Sequence, residues 1–116
     1  MKKKTETINF SKKYSKFKNK EGFTTVRWID SQYILGNIYQ VVFVDSSKFH
    51  VHREQGKARL ISMKIMKMND LTDKFITEDA DCSREEFFKM MYGWYGKKAD
   101  WNHWLSEIQI LVFEWV

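Results

Sequence analysis
The sequence predicts an α+β domain: a small β-barrel of about six strands, one main helix over 83–95 and one short helix over 70–76. Three observations carry that prediction. Short segments with alternating or continuous apolar patterning fill residues 7–68, as strands do. Ser83-Arg84-Glu85-Glu86 then reads as a helix start, followed by apolar residues at helical spacing. A strongly apolar segment, 108–116, comes after that helix and must pair with earlier strands to hide its edge, which a curled sheet allows. A chain of 116 residues suits one domain, 1–116, and no linker or internal repeat divides it.

The elements follow in order. Thr7–Ser11 alternates Ile8 and Phe10 with polar residues and reads as a first strand. Residues 12–20 set Tyr14 and Phe17 three apart among lysines, which fits a single helical turn. Glu21-Gly22 breaks the chain before a strand over 23–28, rich in Thr, Val and aromatics. Residues 30–37 form a loop ending in Gly36-Asn37. Ile38–Val44 is almost continuously apolar, the pattern of a strand buried on both faces. A turn at Asp45-Ser46-Ser47 leads to a hairpin partner over 49–53. A second turn at Gln55-Gly56-Lys57 leads to a strand over 58–68.

Beyond Asn69, residues 70–76 make a short helix and 77–81 an acidic loop. In the main helix Ser83 caps the first turn, Glu86 reaches back, and Cys82 with Phe87 sits at the staple positions. Phe87, Phe88, Met91, Trp94 and Tyr95 form one apolar stripe, and Gly96 with Lys97-Lys98 marks the stop. Trp101 and Trp104 lie in the loop before the last strand, placed to cover one end of the barrel.

Charge is unevenly distributed. Residues 1–68 carry 15 Lys/Arg against 5 Asp/Glu, while residues 69–116 carry 5 against 10. The densest block, Met1–Lys20, holds eight lysines and one acid, Glu6, interleaved with Ile8, Phe10, Tyr14 and Phe17. A one-sided positive field attracts phosphates. The single Cys82 cannot form an intramolecular disulfide, and no apolar run reaches the ~18 residues of a membrane span. Those features, with a polar segment after the basic start, predict a cytoplasmic protein without a secretory leader. His50, His52, His103 and Cys82 show no metal-ligand spacing, so no metal or cofactor is expected. No phosphate-cradling glycine loop or serine elbow occurs.

Thr25 and Arg27 stand two apart and share one strand face with Phe23, leaving Val26 and Trp28 on the face turned to the core. A guanidinium fork beside a hydroxyl suits phosphate or carboxylate. Lys12, Lys13, Lys16, Lys18 and Lys20 with Tyr14 and Phe17 combine the charge and stacking surface that single-stranded nucleic acid needs.

Three runs, in this order, resemble an ASCH domain of the PUA-like superfamily: Asn9-Phe10-Ser11-Lys12-Lys13-Tyr14, then Phe23-Thr24-Thr25-Val26-Arg27, then Tyr33-x-x-Gly36-Asn37-x-Tyr39-x-Val41. Asp81-Cys82-Ser83-Arg84-Glu85-Glu86 with its aromatic helix, and the closing Val112-Phe113-Glu114-Trp115, are similar to small archaeal-type members. The resemblance covers nearly the whole chain. It implies a PUA-like barrel with a basic cleft beside the Thr25-x-Arg27 strand, and RNA or a nucleoside or nucleotide as partner. The implied binding residues are Lys12, Lys13, Tyr14, Lys20, Thr24, Thr25 and Arg27.

Some bacterial relatives are amidohydrolases of acetylated cytidine, with a lysine nucleophile in Gly-x-Lys-Thr-x-Thr-x-Arg and an assisting Thr and Glu. Here the position five before Arg27 is Gly22, and the nearest lysine is Lys20. Lys20 is therefore the catalytic candidate if the chain is an amidohydrolase or a ribonuclease-like enzyme. The acidic partner would fall near Ala80, beside Glu78, Asp79 and Asp81. A third reading, an interaction domain without a small ligand, draws on the 78–81 acids and the aromatic excess.

Overall fold
A computed structural model describes residues 6–29, 32–45 and 51–116. Five strands and two α-helices are formed among them: β1 (Glu6–Phe10), β2 (Gly22–Arg27), β3 (Ile38–Asp45), β4 (Val51–Lys67), α1 (Asp73–Ala80), α2 (Arg84–Tyr95) and β5 (Glu107–Trp115). The strands form one sheet in the order β1-β3-β4-β5-β2. Only β1 and β3 run parallel; the other neighbours are antiparallel. No helix among the described residues is long and apolar enough to cross a membrane.

The α+β class holds, but the sheet is an open one of five strands rather than a six-stranded barrel. Two local events account for the missing strand and the missing closure. First, Gln55-Gly56-Lys57 does not turn the chain. Val41 pairs with Gly56 and Val42 with Glu54, so Gln55 is an extra residue bulged out of a continuous β4. Gly56 takes φ 151°, a conformation open to glycine, and the Gly signal that reads as a turn serves a bulge instead. Second, β1 and β2 stand at opposite ends of the strand order, and the curl of the sheet brings them together without a backbone ladder. Their contact is made by side chains: Phe10 meets Phe23 at 5.7 Å, and Phe17 from the 3-10 turn Ser15–Lys18 wedges against both, at 4.9 and 5.4 Å. Residues 46–50, with the expected Asp45-Ser46-Ser47 turn, the start of the 49–53 strand and His50, lie outside the described residues.

The core fills the inside of the curl. Tyr39, Val41, Leu60, Leu111 and Phe113 are fully buried there. β3 alternates, with Tyr39, Val41 and Phe43 buried and the residues between them half-buried, so its apolar run covers one face fully and not two. β2 differs from expectation in the opposite sense. Phe23 and Thr25 are as buried as Val26, because one face lines the curl and the other lies under the helices.

The short helix runs Asp73–Ala80 instead of 70–76, with Thr72 as its cap accepting from the Phe75 amide, and residues 68–70 form a 3-10 turn. The segment read as an acidic loop is therefore mostly the second half of α1. α2 begins where the capping signature puts it: the Ser83 hydroxyl accepts from the Glu86 amide at 3.2 Å and donates to its carboxylate at 3.0 Å. Phe87 and Met91 are buried, Phe88 and Tyr95 are partly covered by Trp101, Trp104 and Trp28, and Trp94 stands 50 % exposed.

Candidate functional site
The seam between β1 and β2 is where two sheet edges meet. A strand edge leaves backbone carbonyls without a ladder partner, and such groups need other donors. Two cations supply them. Lys16 Nζ donates to the Thr24 carbonyl of β2 at 2.5 Å, and Arg27 Nη2 donates to the Asn9 carbonyl of β1 at 2.6 Å. Both lie over the same ring: Lys16 Nζ is 5.2 Å and Arg27 Cζ 4.8 Å from the Phe10 centroid, within cation–π range. Tyr14 and Phe23 give Lys16 two further ring faces, at 5.0 and 6.0 Å.

Beside this seam opens a cavity of about 440 Å³. It is lined by Phe10, Thr25 and Arg27 from the strands, by Met90, Trp94 and Tyr95 of α2, and by Lys16 and Asp79. That volume lies in the usual range for small-ligand sites, and mostly apolar walls with a few convergent polar groups are typical of them. Arg27 also donates from Nε to the Thr25 hydroxyl at 3.2 Å, so two of its five N–H donors are engaged among the described residues. No carboxylate among the described residues forms a salt bridge with it.

Lys16 and Asp79 are a buried ion pair, their side chains 8 % and 5 % exposed, with Nζ 3.2 Å from Oδ1. The same oxygen accepts from the Thr24 hydroxyl at 2.7 Å. Burial lowers the Lys16 ammonium below the ordinary lysine range against the pull of Asp79. Burial likewise raises the Asp79 carboxyl, opposed by Lys16 and by the Thr24 hydrogen bond. Both shifts favour the neutral amine and the neutral acid, the forms that act as base and proton donor. Tyr14 is raised by burial, its hydroxyl bonded to Ser11 at 3.1 Å and to Met90 Sδ at 3.8 Å. Burial works to raise Asp81 too, but the Ser15 hydroxyl and amide outweigh it and hold that carboxyl below its ordinary value.

The residues singled out from the sequence divide into three groups. Tyr14, Thr25 and Arg27 line the cavity. Thr24 turns its hydroxyl to Asp79 on the other side of β2. Lys12, Lys13 and Lys20 are exposed and outside the cavity wall; Lys12 Nζ lies 4.9 Å over the Tyr14 ring and Lys13 Nζ 5.8 Å over Phe43. The amine in the cavity is Lys16, and the carboxylate is Asp79. At Gly22 a Cβ would collide with the Phe113 carbonyl of β5, so the tight β2–β5 approach leaves no room for a side chain where the resembled motif has lysine.

Asp79 carried a legible signal. It stands three residues after Ile76 and four after Phe75, on the buried face of a helix that continues to Ala80. Reading 77–81 as a loop hides it. His52, on β4, also borders the cavity, and among the described residues no group of three or more His, Cys, Asp or Glu is placed to hold a metal. No protein-family model, curated protein or solved structure matches the chain.

Proposed function
We propose that the seam cavity binds a nucleotide, free or as one unit of single-stranded RNA, with Arg27 as its anchor. One observation carries this reading: the Arg27 guanidinium lines a 440 Å³ cavity with three donors in hand and no carboxylate salt bridge among the described residues. Guanidinium suits a phosphate or a base edge, and Trp94 and Tyr95 offer a ring surface for a base. Exposed Lys12, Lys13 and Lys20 would add backbone-tracking charge for an RNA strand. The test is titration with nucleoside monophosphates and short single-stranded RNA at several salt concentrations. Saturable binding that weakens with salt, and is lost in Arg27→Ala more than in Lys20→Ala, is the expected result. Undetectable binding at low salt, or equal effects of the two substitutions, would remove the reading.

A second reading is favoured by the Lys16–Asp79–Thr24 group, which offers a buried amine, a carboxyl and a hydroxyl together. In an amidohydrolase, neutral Lys16 would take the proton of an attacking water while protonated Asp79 supplies the leaving amine. Lys20, solvent-exposed and outside the cavity wall, is a weaker candidate for that role. Hydrolysis of acetylated cytidine, abolished in Lys16→Ala and kept in Lys20→Ala, is the outcome this reading requires. No turnover by the parent protein would end it.

A further inference from the structure
We propose that Lys16 condenses, as an imine, with small carbonyl compounds that carry an anionic group, a 2-oxo acid or an aldehyde phosphate. The inference goes beyond nucleotide binding and rests only on Lys16 being a nucleophilic amine on the cavity wall. Its basis is a division of labour between two cations above one ring. Lys16 and Arg27 flank Phe10 and face the same cavity, yet only Lys16 has a carboxyl partner, at 3.2 Å. A ligand whose anionic end meets the Arg27 fork brings its carbonyl toward the amine. An amine held in a desolvated, ring-lined recess with a carboxyl beside it is the arrangement that carbonyl condensation uses.

The chemistry balances with groups already present. The lone pair of the neutral amine attacks the carbonyl carbon, and the amine proton passes to oxygen to give a carbinolamine. Protonated Asp79 then donates its proton to the carbinolamine hydroxyl, which leaves as water while the C=N bond forms. The product is an iminium beside the Asp79 carboxylate, the same charge pattern that Lys16 and Asp79 hold as an ion pair. No oxidant or reductant is needed. Proton transfer from Lys16 to Asp79 along their 3.2 Å contact gives the neutral amine and the acid that these steps start from, a shift that burial of both groups favours.

The experiment is reductive trapping at pH 7. Protein is incubated with glyoxylate, glyceraldehyde 3-phosphate or uncharged acetaldehyde, each with cyanoborohydride, and the adduct is located by peptide mass mapping. Lys16 should be labelled several-fold above any of the other fifteen lysines, since its desolvation beside the cavity lowers its pKa and raises its neutral fraction. The faster of the two anionic compounds identifies carboxylate or phosphate as the matching group. Both should outpace acetaldehyde, and Arg27→Ala should erase that preference while Lys16 still reacts. Lys16→Arg, which keeps a cation against Asp79, should lose the adduct; if it does not fold, the parent map decides alone. Label shared evenly among surface lysines and the Met1 amine would overturn the proposal. Equal rates for charged and uncharged compounds would overturn the anionic ligand class. Trapping without nucleotide binding, or the reverse, separates this inference from the reading above.

Discussion

Replacing Lys16 with methionine removes the ammonium but keeps a side chain of similar reach among Phe10, Tyr14 and Phe23. Asp79 then remains 5 % exposed with its Thr24 hydrogen bond at 2.7 Å and no cation. Breaking a buried ion pair from one side costs about 3–5 kcal/mol, because the surviving charge is left uncompensated. The retained Thr24 bond puts Lys16→Met near the lower end, about 3 kcal/mol, or roughly 12 °C in Tm for a chain this size. The double variant Lys16→Met/Asp79→Asn leaves no buried charge, and the new amide oxygen still accepts from Thr24. It should lie within about 1 kcal/mol of the parent or be more stable, as buried pairs replaced by neutral groups often are. Urea unfolding followed by circular dichroism at pH 7 gives both values, and equal m-values confirm that the same transition is compared. If the single variant is as stable as the double, the pair is solvated in solution. The site would then lack the desolvated amine on which its chemistry rests.

Three further outcomes follow from the same geometry. Asp79 is raised in the folded chain, so the folded state keeps a proton that the unfolded state has lost, and stability falls as pH rises from 3.8 through the raised value. Lys16 is lowered, so the unfolded state holds the extra proton, and stability recovers as pH climbs from the lowered value to 10.5; stability measured across pH should show both slopes in the parent and neither in the double variant. Gly22→Ala should destabilise by about 1–3 kcal/mol, because a Cβ there forces β2 away from the Phe113 carbonyl, and an unchanged Tm would mean the two strands are not so tightly apposed. Ser83→Ala should cost about 1 kcal/mol by removing the cap of α2, read as a shift in denaturation midpoint.

Much of the fold was legible because local signals agreed with tertiary demands. Alternation marked β1, apolar β-branched runs marked β3 and β5, and the Ser83 box fixed the start of α2 to the residue. What misled was chemistry that serves two structures equally well. A Gln-Gly-Lys segment fits a tight turn or a bulge, and only the β3 register decides for the bulge. Barrel closure depends on whether two edges bond to each other, which no local pattern encodes; here Lys16 and Arg27 take the edge carbonyls of Thr24 and Asn9.

At the site, both residues of Thr25-x-Arg27 line the cavity, though an ordinary strand carries the same spacing. It did not reveal that Phe23 and Thr25 would be buried, because burial of an edge strand on both faces comes from the curl and the helices together. Among five lysines in residues 12–20, Lys16 and Lys18 both sit within the 3-10 turn, and it is Lys16, one residue before buried Phe17, that reaches Thr24 and Asp79. That choice among equivalent residues is made 63 positions away by Asp79, so the segment alone holds no trace of it.

The seam cavity is proposed to be a ligand site anchored by Arg27. Titration of isotopically labelled protein with a nucleoside monophosphate, followed by two-dimensional NMR, reads this at residue level. Saturable shifts of the Arg27 Nε–H and the Trp94 indole N–H, with smaller ones at Lys20, are the predicted result. Shifts confined to the exposed lysines of residues 12–20, with Arg27 and Trp94 unmoved at saturation, would contradict it.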